Sequence, residues 1–203
     1  MNLQGTEIGV HWRRYPLVNV DQVQLEADAI WGMQNYSSSV SGTLKNVPNL
    51  STRWRVMTPF FGLPDLAYGI ALHTDYNNLR GISSVGHGGY ERISTQLWLP
   101  MRLTLPASSP WELDAGVLLW GQHESRLSQA TPNSEDVTNT QRRGVYLQAN
   151  TLFVTAQGLL LPYVRWAWID NSDTVLAKQS GVMKYLQEPR NNRVQVGLQW
   201  QFK

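Results

Sequence analysis

The sequence contains no cysteine, which excludes a disulfide framework, a thiol nucleophile and a cysteine-ligated metal site. Charged residues make up only 16% of the 203 residues, well under the roughly 25% of a typical soluble domain. Lysine is scarce and occurs only at Lys45, Lys178, Lys184 and Lys203. The formal net charge of +2 gives no sign of a nucleic-acid-binding surface. Because no run of about 18 apolar residues is present, a transmembrane helix is excluded.

What the sequence has instead is strict alternation. In its final residues, NRVQVGLQWQFK, the side chains of Val194, Val196, Leu198, Trp200 and Phe202 fall on one parity. Arginine, glutamine and glycine fall on the other. This period of two is typical of a β-strand with one apolar and one polar face.

Similar stretches recur along the whole chain, and we interpret them as nine strands. Many exceed ten residues, whereas strands of soluble sheets usually have five or six. Strands of about 9–11 residues suit a tilted membrane crossing. Short turns at LVNVD, GLP, PASSP and AQG alternate with long polar loops near 37–51, 78–89, 124–142 and 171–191. The strands lie near 5–17, 22–36, 52–61, 65–77, 90–105, 111–123, 143–156, 159–170 and 192–202.

The side chains of these strands separate into two sets. One face carries mostly Val, Leu, Ile, Met and Trp; the other is rich in Arg, Gln, acidic residues and Gly. In a soluble barrel of the lipocalin or avidin type the apolar face is the core, whereas in a membrane barrel it meets lipid. The polar face here lacks the dense Lys and Glu that solubility requires. Aromatic residues cluster near strand ends, as in the interfacial belts of membrane proteins: Trp12, Trp31, Tyr36, Tyr68, Trp98, Trp111, Trp166, Trp168 and Trp200. We therefore expect the apolar face outward, in lipid.

Several stretches also resemble bacterial outer-membrane proteins. NRVQVGLQWQF resembles the C-terminal assembly signal of outer-membrane β-barrels, although Lys203 follows the terminal aromatic residue. NYSSSVSGTLKNVPN, GYERISTQLWLP, QRRGVYLQAN and LPYVRWAWIDNSD resemble a group of uncharacterised outer-membrane barrels with about ten strands. The resemblance covers nearly the whole chain. It implies an all-β, antiparallel, up-and-down transmembrane barrel of 8–10 strands formed by residues 1–203 as a single domain.

The odd strand count needs an explanation, because bacterial single-chain barrels have even numbers of strands. One expectation is that an N-terminal strand is missing before Met1, which leaves a gap between strands 5–17 and 192–202. The alternative is a tenth strand from about 175–188. A continuous parallel ladder between the first and last strands would contradict both.

The inward face contains the candidate functional residues. Acids and arginines on this face are expected to form a salt-bridged network that fills a narrow lumen, since buried charges must be paired. We expect Arg102 and Arg165 to contact carboxylates such as Glu26, Glu112 or Asp114. The proposed lumen network consists of Glu26, Asp28, Arg53, Arg55, Arg92, Arg102, Glu112, Asp114 and Arg165.

Two enzymatic alternatives remain open. His123, Ser125 and Glu135 resemble the His-x-Ser and distal Glu of outer-membrane lipid A deacylases, in which Glu orients His and His activates Ser. His73 and Asp75 share one face near a strand end, as acid and His pairs do at the rim of omptin proteases. The four dispersed histidines and the lack of cysteine predict neither a metal site nor a cofactor.

The sequence thus favours a small, non-enzymatic outer-membrane barrel with a filled polar interior and four long extracellular loops. Its role would be structural, adhesive or that of a narrow pore. Its expected partners are outer-membrane lipid, lipopolysaccharide and the barrel assembly machinery, with no nucleic acid; the extracellular ligand is open. The alternatives are the two enzymes and a soluble ligand-binding barrel.

Overall fold

The computed structural model describes residues 1–14, 23–39, 41–105 and 110–202, and these residues form almost only β-strands. One turn of 3₁₀ helix spans Leu127–Gln129. Within the described ranges, no helix combines the length and the apolar character that crossing a membrane demands. The strands are β1 (Asn2–Arg14), β2 (Gln24–Ser38), β3 (Gly42–Phe60), β4 (Leu63–Asn78), β5 (Glu91–Thr104), β6 (Trp111–Ser125), β7 (Val137–Gln141), β8 (Gly144–Thr151), β9 (Phe153–Thr155), β10 (Gly158–Ile169), β11 (Thr174–Gln179), β12 (Val182–Gln187) and β13 (Asn191–Phe202).

These strands close into a barrel with nine strand positions in the described part of the chain. Strands β1 to β6 are successive antiparallel neighbours, β7, β8 and β9 share the seventh position, and β10 and β13 complete the ring. Strand β13 then pairs with β1 in parallel, with Val196 opposite Thr6 and Trp200 opposite Val10. The all-β barrel is confirmed. The purely antiparallel sheet is wrong at this one seam, where the sheet becomes mixed.

The continuous parallel ladder also shows that the expected gap and the expected tenth strand are both wrong. Residues 174–187 form a separate two-stranded hairpin, β11 and β12, outside the barrel wall. Ser180 and Gly181 have φ values of 53° and 83° and form its two-residue turn. Two successive positive φ values are typical of the type I′ turn, whose twist suits a tight hairpin. The Ser-Gly pair therefore breaks the single strand that the sequence suggested.

The connections divide the barrel into two unequal ends. The loop end carries the segments 79–90, 126–143 and 170–190, and the turn end carries short connections such as 61–62 and 156–157. The expected long loop at 37–51 is wrong, because β2 continues to Ser38 and β3 begins at Gly42. A register shift lies in this pairing, where Gln34 is opposite Val47 and Tyr36 is opposite Leu44, and Asn46 within it has a φ of 55°. The expected turns at 17–21 and 106–109 lie outside the described residues.

The alternation separates the two faces as the sequence predicts. Leu147 is 56% exposed on the outer face, whereas its neighbour Gln148 is buried in the lumen. The same contrast holds around the ring. Exposed apolar side chains on the barrel exterior include Ile8, Val10, Trp12, Trp31, Trp54, Val56, Ile70, Leu99, Met101, Leu113, Val117, Leu147, Val164, Trp166, Val194 and Val196.

One irregularity in β6 changes which side chains face inward. Trp98 pairs with Leu118, but the next pair joins Leu97 to Trp120, so Leu119 is an extra residue. Such a β-bulge re-aims the side chains that follow it. Leu119 and Trp120 both face outward, and His123 beyond them faces the lumen. Trp98 is buried in the lumen, so its assignment to an outer aromatic belt is wrong.

The parallel seam can be tested by cross-linking, since the chain has no cysteine of its own. Thr6 and Val196 lie opposite each other, at a strand spacing of about 4.8 Å, within the Cα range of a disulfide. We expect Thr6→Cys with Val196→Cys to form an intramolecular disulfide, detected by mass and by non-reducing gel mobility. As a control, Thr6→Cys with Trp200→Cys is offset by about 13 Å along the strand and should remain reduced. Cross-linking of the offset pair alone would contradict this register.

Candidate functional site in the barrel lumen

The most densely charged part of the lumen lies near the turn end and centres on Glu26 of β2. Its carboxylate forms ion pairs with three arginines. Arg55 Nε lies 2.9 Å from Glu26 Oε2, Arg13 Nε lies 3.2 Å from Oε1, and Arg102 holds both oxygens through its two terminal nitrogens. Glu26 is 2% exposed, so these cations replace its water of hydration.

Asp28 is the second buried anion of β2. Arg55 Nη2 donates to Asp28 Oδ2 at 2.9 Å, so Arg55 joins the two acids of this strand. Gln199 from β13 donates to Oδ1 at 3.0 Å, and His11 Nδ1 lies 2.6 Å from the same atom. Strands on both sides of the parallel seam thus hold Asp28, because β1 and β13 each contribute a side chain to it.

The acids of β6 complete this network from the opposite wall. Arg102 Nε donates to Asp114 Oδ1 at 3.0 Å, and Asn150 donates to Asp114 Oδ2 at 3.1 Å. Glu112 accepts from both terminal nitrogens of Arg13, at 3.1 and 3.3 Å. Arg102 therefore contacts Glu26 and Asp114, two of the carboxylates that the sequence suggested for it. The arrangement ties β6 to β1, β2 and β5 across the lumen.

The middle of the lumen is filled differently. Arg165 lies over the Tyr146 ring, 4.2 Å from its centroid, and 3.3 Å from His73 Nδ1. Trp98 packs edge-on against Tyr146 at 5.2 Å between ring centroids. Neither Arg165 nor Arg53 forms an ion pair with a carboxylate among the described residues. The expected Arg165–carboxylate contact is wrong, because aromatic rings occupy this level.

Glycine makes room for this aromatic layer. A Cβ atom on Gly116 would lie 2.3 Å from Cε1 of the Tyr146 ring, so a larger residue there would displace the ring. The same holds for Gly197 and the ring of Tyr163. Tyr163 in turn donates to Glu7 Oε2 at 2.6 Å, in a buried group that includes Asn49 and Gln195. Glu7 of β1 and Tyr163 of β10 both belong to the polar face of their strands, but the alternation of side chains does not show that the two residues are in contact.

The packing divides the free space of the lumen into separate polar pockets. One of about 200 Å³ lies at the turn end, beside Arg13, Arg102 and Glu112. A polar cavity of about 20 Å³, beside Arg53, His73, Asp75, Arg165 and Arg193, lies toward the loop end. Its volume holds about one water molecule. The lumen therefore resembles the side-chain-filled interior of a small barrel rather than an aqueous channel.

A second polar cluster closes the lumen at the loop end. Arg92 pairs with Glu188, which follows the β11–β12 hairpin, and both side chains are buried. Glu188 N donates to Ser172 Oγ at 2.8 Å, which fixes this segment over the barrel. Burial raises the pKa of the Glu188 carboxyl, while the neighbouring Arg92 acts in the opposite direction. The sequence identified Arg92 but not its partner, because 96 residues separate them.

His123 belongs to this cluster. Its Nδ1 lies 2.7 Å from Ser94 Oγ, and its Nε2 lies 3.2 Å from Ser125 Oγ and 3.4 Å from Glu188 Oε2. Arg92 Nε donates to His123 Nε2 at 3.2 Å. In a serine-hydrolase triad the serine and the carboxylate use opposite ring nitrogens. Here Ser125 and Glu188 share Nε2, and Arg92 occupies its lone pair, so this arrangement does not activate Ser125.

The structure does not bring the third suggested residue, Glu135, to this group. Glu135 accepts a hydrogen bond from the backbone of Lys178 at 2.9 Å in the exposed loops. The structure also does not pair His73 with Asp75, as the rim-protease alternative requires. Asp75 pairs with Arg193 at 3.1 Å and accepts from Ser51, whereas His73 lies deeper, against Arg165.

Comparisons of this chain with protein-family models, with curated proteins and with solved structures found no match. Among the described residues, no group of three or more His, Asp or Glu side chains is placed to hold a metal ion. The function is therefore inferred from the polarity and packing of the barrel itself.

Removal of one network arginine should destabilise the barrel strongly. Arg102→Gln removes the guanidinium group that Glu26 and Asp114 share. Glu26 keeps Arg13 and Arg55, but Asp114 loses its nearest cation, and breaking a buried pair costs about 3–5 kcal/mol. Arg14→Gln is the matched control, because Arg14 is exposed at the end of β1 and should change stability by under about 0.5 kcal/mol. Urea unfolding of the refolded protein measures both. Equal effects of the two substitutions would show that the network contributes little.

The loop-end cluster can be tested with two glutamates from the loops. Glu188→Ala leaves the buried Arg92 unpaired and should cost about 3–5 kcal/mol in the free energy of unfolding. Glu135→Ala makes the same chemical change at an exposed position and should be nearly neutral. We also expect faster proteolysis within 170–190 in the Glu188 variant alone. The reverse order would contradict the anchoring role of Glu188.

Proposed function

We propose that this chain is a small β-barrel protein of the bacterial outer membrane. Its filled lumen stabilises the barrel and carries no solute. The hairpins and loops of the loop end form the surface through which it acts outside the cell. The observation that carries the proposal is the inverted polarity of the barrel wall: most large apolar side chains of its strands are exposed, whereas acids and arginines are buried in the lumen.

The height of the apolar band supports this proposal. On β6 the outward side chains are apolar from Trp111 to Trp120, and the next outward residues are Gln122 and Glu124. This stretch is about 30 Å long, or about 23 Å across a membrane at a 40° tilt. Outer-membrane barrels carry an apolar band about 25 Å tall, with aromatic residues at both edges. Trp111 and Trp120 stand at the two edges of this one.

The rival functions fit the geometry less well. A soluble ligand-binding barrel needs an internal apolar cavity, whereas the cavity beside His73 is polar and holds about one water molecule. A hydrolase needs a serine activated by a free histidine nitrogen. Because Arg92 donates to His123 Nε2, the ring proton lies on Nδ1 and points to Ser94 Oγ, so neither nitrogen can take a proton from a serine. A pore needs a continuous path, which the ion pairs of Glu26, Arg55 and Arg102 cross. The role that fits best is that of a membrane anchor, which holds the loops of the loop end at the cell surface.

Insertion into vesicles tests the membrane location. Leu147→Arg places a charge on the outer face near the middle of the apolar band, which should cost about 2–4 kcal/mol in a bilayer. Gln122→Arg makes the same addition on the same face above the band, where the cost should be at most about 1 kcal/mol. The fraction inserted, read from heat-modifiable gel migration, measures both. In water Leu147→Arg would be harmless or would improve solubility, so a soluble, monodisperse Leu147 variant would contradict the proposal.

A further inference from the structure

Two consecutive arginines face the outside of the barrel between β7 and β8. Gln141 ends β7 and Gly144 begins β8, and both are buried on the lumen side. In an uninterrupted strand, two residues three positions apart would face opposite ways. Since Gln141 and Gly144 both face the lumen, the segment between them contains one residue more than regular alternation allows. Arg142 and Arg143 consequently both point outward, and both are exposed. Neither forms an ion pair with another described residue.

The bulge in β6 lies directly opposite this irregularity. Gly121 pairs with Gln141, and Val117 pairs with Val145. Leu119 and Trp120 therefore lie beside Arg142 and Arg143, which link the neighbouring β7 and β8, and all four side chains point outward. An exposed tryptophan is therefore next to the arginine pair. Such amphipathic rings favour the boundary between an apolar phase and water.

A third arginine lies two strands away at the same level. On one side of Asp170, its backbone N donates to Arg143 O at 2.9 Å. On the other side, Ile169 pairs with Asn191 of β13, which places the preceding residue, Arg190, at the level of Asp170. Since neighbouring strands are about 4.8 Å apart, the backbones of Arg143 and Arg190 are about 10 Å apart. The Arg190 side chain is 61% exposed and lies 5.7 Å from the Trp168 ring centroid.

We call Arg142, Arg143, Arg190, Trp120 and Trp168 the Arg–Trp patch. Among the described residues, only Arg190 of this patch forms an ion pair, with Asp170 at 3.6 Å. Three guanidinium groups against one carboxylate leave a net charge of +2. Guanidinium groups are matched to the oxygens of phosphate, which they bind in a bidentate way.

Below the Arg–Trp patch, the outer wall contains an apolar groove of about 590 Å³. Small side chains, Ala115 and Ala149, form its floor between the larger Leu147, Val164 and Trp166. Leu147 lies four residues from Arg143 along the same strand, or about 13 Å. The charged patch and the groove thus stand one above the other on the same face, at the edge of the apolar band and within it.

We propose that this face binds one phosphorylated lipid of the bilayer, with its phosphate on the Arg–Trp patch and its acyl chains in the groove. The inference rests on the membrane location proposed above. A free phosphate would satisfy the arginines but leave the groove empty. A second copy of this chain, seated face to face, would bring the two sets of arginines together. A phosphorylated lipid satisfies both parts.

The test uses the full chain refolded in nonionic detergent and titrated with dioleoyl phosphatidic acid or dioleoyl phosphatidylcholine. Native mass spectrometry measures the lipid bound. We expect a clear preference for phosphatidic acid. The Arg142→Gln, Arg143→Gln, Arg190→Gln variant should weaken its binding at least about tenfold, since each basic residue near an anionic lipid surface contributes measurably. Ala149→Trp, which fills the groove, should weaken binding of both lipids.

The matched control removes three exposed cations from strands at the loop end, Lys45 of β3, Lys178 of β11 and Lys184 of β12, each replaced by Gln, and should keep the preference for phosphatidic acid. Equal binding by wild type and the arginine variant overturns the inference, as does displacement of the lipid by equimolar inorganic phosphate. All variants are also inserted into vesicles. If the wild type does not insert, the proposed membrane location fails; if it inserts but shows no lipid preference, this inference alone fails.

Discussion

The structure depends on the mutual neutralisation of charges inside the barrel. Glu26 and Asp28 are buried beside Arg55 and Arg102, and a buried charge without a partner is far more costly than one in water. The pairs join β1, β2, β3, β5 and β6, so the network links walls that are distant along the ring. Polar groups and the layer around Trp98 and Tyr146 fill the lumen, and most of the remaining large apolar side chains face outward. The outer surface that meets lipid in the proposed function is therefore a consequence of how the interior is filled.

Closure of the sheet is the second constraint, because an open edge exposes backbone groups that hydrocarbon cannot satisfy. The first and last barrel strands run the same way and pair in parallel over Asn2 to His11. Side chains cross this seam inside the barrel: His11 of β1 and Gln199 of β13 both contact Asp28. An odd strand count is thus compatible with a closed ring, since the parallel ladder and the lumen contacts at the seam act together.

Much of the fold could be predicted from the sequence, because period-two alternation is local and sorts side chains such as Leu147 and Gln148 without knowledge of their neighbours. The β6 bulge at Leu119 could not be predicted, since the residues around it are equally compatible with a bulge and with uninterrupted alternation. That single extra residue decides that His123 faces the lumen. The partners of the site residues were also hidden: Arg92 meets Glu188 and Arg165 meets Tyr146 through contacts that depend on barrel register. The hairpin at Ser180 and Gly181 carried a turn signal, which strand-like residues on both sides obscured.

The environment of residue 147 in a bilayer shows most directly whether the apolar face of the barrel meets lipid. A spin label attached at Leu147→Cys, in protein refolded into vesicles, reports collisions with molecular oxygen, which concentrates in lipid, and with a water-soluble nickel chelate. We expect frequent collisions with oxygen and few with the chelate at residue 147, and the opposite pattern for a label at Gln122→Cys on the same face. Frequent collisions with the chelate at residue 147 would contradict the claim that the apolar face of this barrel meets lipid.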